Sequence, residues 1–353
     1  MLLRYQLSLL SILLFPVFVT AQFTKNKDSV LSILRENKKV DSTKVIDYAR
    51  VSQAYNQKPD SAIYYIKEGL KLARTVNFKR GIALMNSKLG AFYLDDGRYK
   101  QADSVFRIAL SIHRKLNRYE DQGTVYQALS AVYSEAGDEV NSLKYILIAR
   151  QLYEKRGLKE QLPFCNGTIG IVYLNQGEVN NAVKYIKEGI RIAEDLKLNH
   201  KFSTEVNAYY NLTILADLCT NLAAIFSDRN DYRSAVKYYD QSIKVSKEGG
   251  FYDSNVLLFV NAADVYRKTG DEKRARTLLD TALRLAQQGN LYREKYKIYT
   301  QLAMLESSPA KALPYFDKAI QLASKQLTDL MEIYDDKAEY FKENGQYKEA
   351  LEA

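Results

Sequence analysis

Few residues in this chain are of the types that perform covalent chemistry, and those few are scattered. The 353 residues include two histidines, His113 and His200, and two cysteines, Cys165 and Cys219. A metal site needs such ligands grouped at fixed short intervals so that their lone pairs converge, and neither histidine has a Cys or carboxylate beside it at that spacing. No Gly-rich phosphate loop, nucleophile elbow or Cys-x-x-Cys occurs. The paired carboxylates Asp95-Asp96 and Asp335-Asp336 fall where helical periodicity ends, and a solvated turn accounts for them. The expectation is a protein that is not an enzyme, with no cofactor and no metal. Recognition is the chemistry left to its amides, hydroxyls and charges.

The elements that would position such groups are set by an internal repeat. Its cleanest copy is Leu89, Gly90, Tyr93, Gly97, Tyr99, Ala102, Phe106, Ala109. It returns as Leu129, Ser130, Tyr133, Gly137, Ser142, Ile146, Ala149 and as Ile169, Gly170, Tyr173, Gly177, Ala182, Ile186, Gly189. Two more copies run Leu222, Ala223, Phe226, Asn230, Tyr232, Ala235, Tyr239, Ser242 and Ala262, Ala263, Tyr266, Gly270, Ala275, Leu279, Ala282. In each copy apolar residues recur at helical spacing, break at a turn residue and resume at i, i+4, i+7, which describes two amphipathic helices joined tightly. A unit this small cannot bury its own apolar face, so it must stack on its neighbours. The small residues belong where two helix backbones approach closely, and the aromatics fill the wedge between them.

This pattern resembles the tetratricopeptide repeat. The resemblance implies an all-α, right-handed superhelical solenoid of antiparallel helix pairs. The unit is long: Gly90 to Ser130, Ser130 to Gly170 and Ala223 to Ala263 are each 40 residues apart, against about 34 in the usual repeat. Longer units of this kind are similar to those of kinesin light chains and bacterial regulatory repeat proteins. Gly170 to Ala223 spans 53, and the excess at Lys201–Thr213 reads as a lengthened first helix of the fifth repeat. Weaker copies bracket the core, at Val51, Tyr55, Ala62, Ile66, Gly69 and at Ala312, Phe316, Ala319. An eighth begins at Ala338, Phe341, Gly345, Tyr347, Ala350 and stops at Ala353 inside its second helix. That ending points to a fragment of a longer protein or to a last helix completed by something else. The expected organisation is 22–40 as an N-terminal helical segment and 41–353 as a solenoid of about seven repeats plus the incomplete eighth.

The resemblance also implies a concave groove lined by first helices, suited to a protein or peptide ligand. Its positions carry over to Leu84, Ser87, Ala91 and Leu94 in repeat two, and to Thr124, Gln127, Ala131 and Ser134 in repeat three. Repeat four supplies Phe164, Ile171, Leu174 and Asn175, repeat five Asp217, Thr220, Ala224 and Ser227, and repeat six Leu257, Val260, Asp264 and Arg267. Ser87 and Ala91 stand where the clamp for chaperone C-termini needs Lys and Asn, which removes that ligand class. Asn221-Leu222-Ala223 and Asn261-Ala262-Ala263 resemble the Asn-Leu-Gly/Ala start of kinesin-light-chain repeats, whose amide bonds a bound peptide's backbone. An amide both donates and accepts, so it pairs with main chain irrespective of side chain; the alternative is that these two bridge neighbouring helices. Lys88, Ala128 and Thr168 occupy the same place in repeats two, three and four, keeping any Asn ladder short. The candidate peptide-binding residues are Asn221, Asn261, Gln127, Phe164, Asn175, Thr220, Asp264 and Arg267.

Residues 1–21 combine Arg4, an apolar run over Leu7–Val19 and the small-x-small ending Val19-Thr20-Ala21, the pattern of a secretory signal peptide. Export to the periplasm follows. No later stretch is apolar enough to span a membrane, and no Cys follows the cleavage site to take a lipid. The net charge of +9 is spread over every repeat and interleaved with acids, as in Lys67-Glu68 and Lys187-Glu188, so it describes a solvated surface. Together with export it argues against a nucleic-acid partner. The 28 tyrosines include the motif aromatics Tyr93, Tyr133, Tyr173 and Tyr266, which are core by position; Tyr209, Tyr210, Tyr238 and Tyr292 fall outside that position and serve either packing within and between repeats, the first expectation for most, or an interface. Cys165 and Cys219 are expected as buried free thiols. The reading is an exported, non-catalytic peptide-binding scaffold, resembling the repeat region of bacterial sensor histidine kinases and regulators. Its rival is a structural scaffold in envelope assembly or secretion. The oligomeric state is not encoded in any feature above.

Overall fold

The computed structural model describes residues 27–352 except 56–57, 200, 253–254, 290–291 and 324–326. The signal-peptide segment 1–21 and His200 therefore lie outside the described residues. An initial helix, α1 (Lys27–Glu36), is followed by eight helix pairs: α2 (Ser42–Ala54) with α3 (Pro59–Thr75), α4 (Lys79–Asp95) with α5 (Tyr99–Lys115), α6 (Tyr119–Glu135) with α7 (Glu139–Arg156), and α8 (Leu162–Asn175) with α9 (Val179–Leu198). Then come α10 (Glu205–Asp228) with α11 (Tyr232–Glu248), α12 (Val256–Lys268) with α13 (Glu272–Gln288), α14 (Tyr292–Met304) with α15 (Pro309–Ala323), and α16 (Leu327–Glu343) with α17 (Tyr347–Glu352). There is no strand among the described residues, and the protein is all-α.

The turns inside the five pairs from α4–α5 to α12–α13 share one construction. Gly97, Gly137, Gly177 and Gly270 adopt φ of +70° to +83°, the left-handed region that glycine enters without steric cost. The next residue's N–H then bonds back to the motif aromatic's carbonyl: Arg98 to Tyr93 at 2.7 Å, Asp138 to Tyr133 at 2.8 Å, Glu178 to Tyr173 at 2.8 Å. The fifth pair makes the same turn with Asn230 at φ +58°, asparagine being the other residue that tolerates this region.

Small residues bring the paired helices together. A Cβ on Gly90 would fall 2.7 Å from the Phe106 ring, and one on Gly170 would fall 2.5 Å from Ile186. Ala102, Phe106 and Ala109 are buried against them, as are Ala182 and Ile186 in the fourth pair. The motif aromatic of the first helix stacks on an aromatic of the second, Tyr133 on Tyr145, Tyr173 on Tyr185 and Phe226 on Tyr238, with ring centroids 5.3 to 5.7 Å apart. Among the motif tyrosines Tyr266 is fully buried, whereas Tyr93, Tyr133 and Tyr173 are half-buried and keep their polar tips near water.

The chain divides into two compact units, Met1–Leu218 and Cys219–Ala353, and the division falls inside α10. The first unit packs one core on Phe106, Leu129, Ile146 and Ile169 and another on Val45, Ile66 and Met85. The second has a core on Tyr239, Phe259 and Leu279 and another on Phe316, Ile333 and Tyr340. The expected lengthening appears in α10, at 24 residues. It is shared with α9, which reaches 20 residues where α4, α5 and α6 have 17. The two extensions pack on each other: Leu196 is buried, and the Asn211 amide donates to the Ala193 carbonyl at 3.0 Å. Cys165 and Cys219 are buried and form no disulfide among the described residues.

Candidate functional site

The first helices of the first unit form a continuous row. α4 packs beside α6. The Gln127 amide of α6 reaches the Cys165 sulfur of α8 at 3.5 Å. Leu218 of α10 lies where a Cβ on Gly167 of α8 would fall, 2.6 Å away. Four of the sequence-derived candidates lie on first helices in packed positions. Gln127 and Phe164 are buried in the first unit, and Thr220 and Asn221 in the second. α8 is buried almost throughout, from Leu162 to Val172, packed chiefly between α7 and α9, with Gln127 of α6 and Leu218 of α10 against it as well. Thr220 spends its hydroxyl on Ser242, 2.9 Å away. Asn175 is exposed and donates to the Glu139 carboxylate at 2.8 Å.

In the second unit, Asp264 and Arg267 face each other. The Asp264 carboxylate takes the Arg267 guanidinium at 3.1 Å and the Lys268 ammonium at 2.8 Å. Arg267 also stands 3.9 Å from Glu343 on α16. These charges are largely neutralised by one another, although Nε of Arg267 is buried without an acceptor. Asn261 is half-buried. Neither Asn221 nor Asn261 has a hydrogen-bond partner among the described residues, so the bridging role that their positions also allowed is not made there.

Two groups that sequence reasoning left off its candidate set stand out. Lys88, on α4, follows the helix round by about 200° from Gly90, which is pressed on Phe106 of α5, and so faces away from the second helix. It is half-buried and has no hydrogen bond or ion pair among the described residues. Burial alone pulls its ammonium down to about 8. Asp217, on α10, is the mirror case. It is half-buried, has no partner among the described residues, and is pushed up to about 7 by burial alone. Both groups are partly exposed, and burial disfavours the charged form of each. Tyr210, about two turns before Asp217, is likewise half-buried and raised by burial, with the Asp217 charge adding to the effect. Lys88 had been noted only for interrupting the Asn series; the available signal was an ammonium at an inward position with no acid three or four residues away.

His113 is buried near the end of α5, with Nδ1 3.6 Å from the Asp121 carboxylate and with burial holding its imidazole below the usual range. It belongs to helix packing. Among the described residues no group of three or more His, Cys, Asp or Glu could hold a metal, and no helix is long and apolar enough to cross a membrane.

Family models described as "Tetratricopeptide repeat" match residues 165–196, 218–250 and 258–288. These segments are tetratricopeptide repeats. The repeat protein is 22% identical over 265 residues to the transcriptional activator NprA of Geobacillus stearothermophilus, covering 71% of this chain and 59% of that one. It thus spans less than two thirds of the curated relative's length. Among solved structures it is similar to the apo form of the quorum sensor NprR from B. thuringiensis, with TM-score 0.61, 17% identity and coverage of 95% of this chain and 97% of the other. It is similar also to the Rap conjugation gene regulator of the plasmid pLS20 in complex with the Phr* peptide, with TM-score 0.57, 13% identity and coverage of 95% and 93%. At these identities the likeness concerns the fold. The repeat protein shares with both an architecture of stacked helix pairs, and its own residues decide what that architecture holds.

Proposed function

We propose that this chain is an exported, non-catalytic scaffold that binds a peptide on the first helices of residues 27–218 and serves as the sensing part of a signal-transduction protein. The observation that carries the reading is polar capacity left open on first helices. Lys88 and Asp217 are half-buried on first helices and make no hydrogen bond or ion pair among the described residues. An extended peptide meets such a surface with groups of both signs and with main-chain donors and acceptors. The pLS20 Rap regulator, of similar fold, is solved with a peptide, which supports the ligand class. Export rests on the pattern of residues 1–21, and the sensing role on the resemblance to regulatory repeat proteins.

Two measurements test the parts separately. A randomised nonapeptide display library panned over the full chain should yield sequences that compete with one another for one site; no enrichment over a blank surface would remove the peptide-binding reading. Fusion of residues 1–60 to alkaline phosphatase, which is active only after export, should give activity that deletion of Leu7–Val19 abolishes. Activity that survives the deletion, or none in the intact fusion, would remove the export reading.

A further inference from the structure

The peptide reading leaves the ligand's chemistry open, and the following step rests on that reading. We propose that the groove of residues 27–218 selects an oligopeptide carrying both charges, with a carboxylate seated at Lys88 and a cationic group at Asp217.

Position supports this. α4, α6, α8 and α10 are successive neighbours, tied by α4–α6 packing, by the Gln127–Cys165 contact and by Leu218 against Gly167. Lys88 stands on the first helix of that row and Asp217 on the last. Three interaxial steps of about 8–10 Å put the axes of α4 and α10 at most about 24–30 Å apart, a span that about seven to nine residues of extended chain cover. Between them the middle of the row is neutral: Ala128 and Thr124 of α6 reach the surface, and α8 from Leu162 to Val172 carries no charged residue, while the acids Glu120, Asp121 and Glu135 lie at the ends of α6.

Charge balance supports it too. A half-buried ion without a counter-ion destabilises the free protein, and one approached by the opposite charge in a low-dielectric groove gains far more than a solvated surface pair. The fold shows that it can supply counter-ions where it uses them, as Asp103 does for Arg107 at 2.7 Å and Glu188 for Arg191 at 2.8 Å. Lys88 and Asp217 receive none among the described residues. A single anion would satisfy Lys88 and leave Asp217 as it is; a polyanion would be repelled by Asp217. A peptide with an acid and a base at separated positions satisfies both.

The test uses the full chain and the same randomised nonapeptide library, panned in parallel over the parent, Lys88→Met and Asp217→Asn. The parent should enrich peptides that hold an acidic and a basic residue apart from each other. Lys88→Met should lose the acidic preference alone, and Asp217→Asn the basic preference alone. A parent-selected peptide should bind each variant at least about tenfold more weakly. Thermal unfolding of both variants, expected at or above the parent's temperature, excludes misfolding as the cause. Enrichment with no charge preference, or preferences unchanged in the variants, would overturn the charge assignment while leaving peptide binding intact. Absence of enrichment on the parent would overturn the peptide reading and this inference with it.

Discussion

Two sets of half-buried charges on first helices, one in each unit, are treated in opposite ways. In residues 219–353, Asp264 is held between Arg267 and Lys268, and Arg267 reaches on to Glu343. The cost of burying these ions is offset by their mutual attraction. In residues 27–218, Lys88 and Asp217 are desolvated without any such offset among the described residues. A charge that the fold neutralises serves the fold, and a charge that it leaves open at a half-buried place destabilises the fold for as long as nothing is bound. The difference teaches where to look for a ligand in a repeat protein: at inward charges that the chain declines to pair, rather than at those it pairs most fully.

The comparison breaks most visibly if the second unit's charges are also dispensable. Asp264→Asn leaves the mostly buried Arg267 guanidinium with only the more distant Glu343 carboxylate, and should lower stability by about 1–3 kcal/mol, read as a lower urea midpoint. A higher midpoint would place Asp264 in the same class as Asp217. A smaller and pH-dependent effect sharpens the first unit's side. Asp217 in the folded chain holds its proton up to about 7, well above the ordinary 3.8. The stability linked to that proton is complete below about pH 4 and is lost as pH rises to about 7, because the unfolded chain releases the proton first. Asp217→Asn should therefore match the parent near pH 4 and exceed it increasingly up to pH 7. Lys88, lowered from 10.5 to about 8, gives the opposite slope at the alkaline end, its cost appearing as pH falls between those values. A stability difference between Asp217→Asn and the parent that stayed flat from pH 4 to 8 would mean that the carboxylate is not desolvated.

Much of the fold was legible because it rests on spacing. Gly97, Gly137, Gly177 and Gly270 mark turns that need a left-handed residue, and Gly90 and Gly170 mark backbones pressed on Phe106 and Ile186. Both are one-residue requirements that a sequence prints directly. The insertion near Lys201 was harder, since extra residues without Pro or Gly lengthen whichever helix can bury them, and both α9 and α10 did. The site was legible only as a face. Register placed Gln127, Phe164 and Thr220 on first helices, but whether such a position is open or closed depends on how tightly the neighbouring first helices meet. Around α8 they meet closely enough to bury Gln127 and Phe164, and Thr220 is buried with its hydroxyl on Ser242. Register likewise placed Asp264 and Arg267 inward without revealing that they would pair, although their i, i+3 spacing with Lys268 at i+4 allows it. Lys88 and Asp217 went unselected for the converse reason: what distinguishes them is the absence of a partner in three dimensions, which no local motif records.

The most direct measurement is the urea unfolding midpoint of the double variant Lys88→Met, Asp217→Asn beside the parent at pH 7.5, with no ligand present. Both desolvation costs are then near their full value, and removing two unpaired charges should raise stability by about 2–4 kcal/mol, discounted for the water that still reaches each group. A midpoint equal to or below the parent's would mean that the free chain already satisfies these charges, and the account of an open, charge-selective groove would be contradicted.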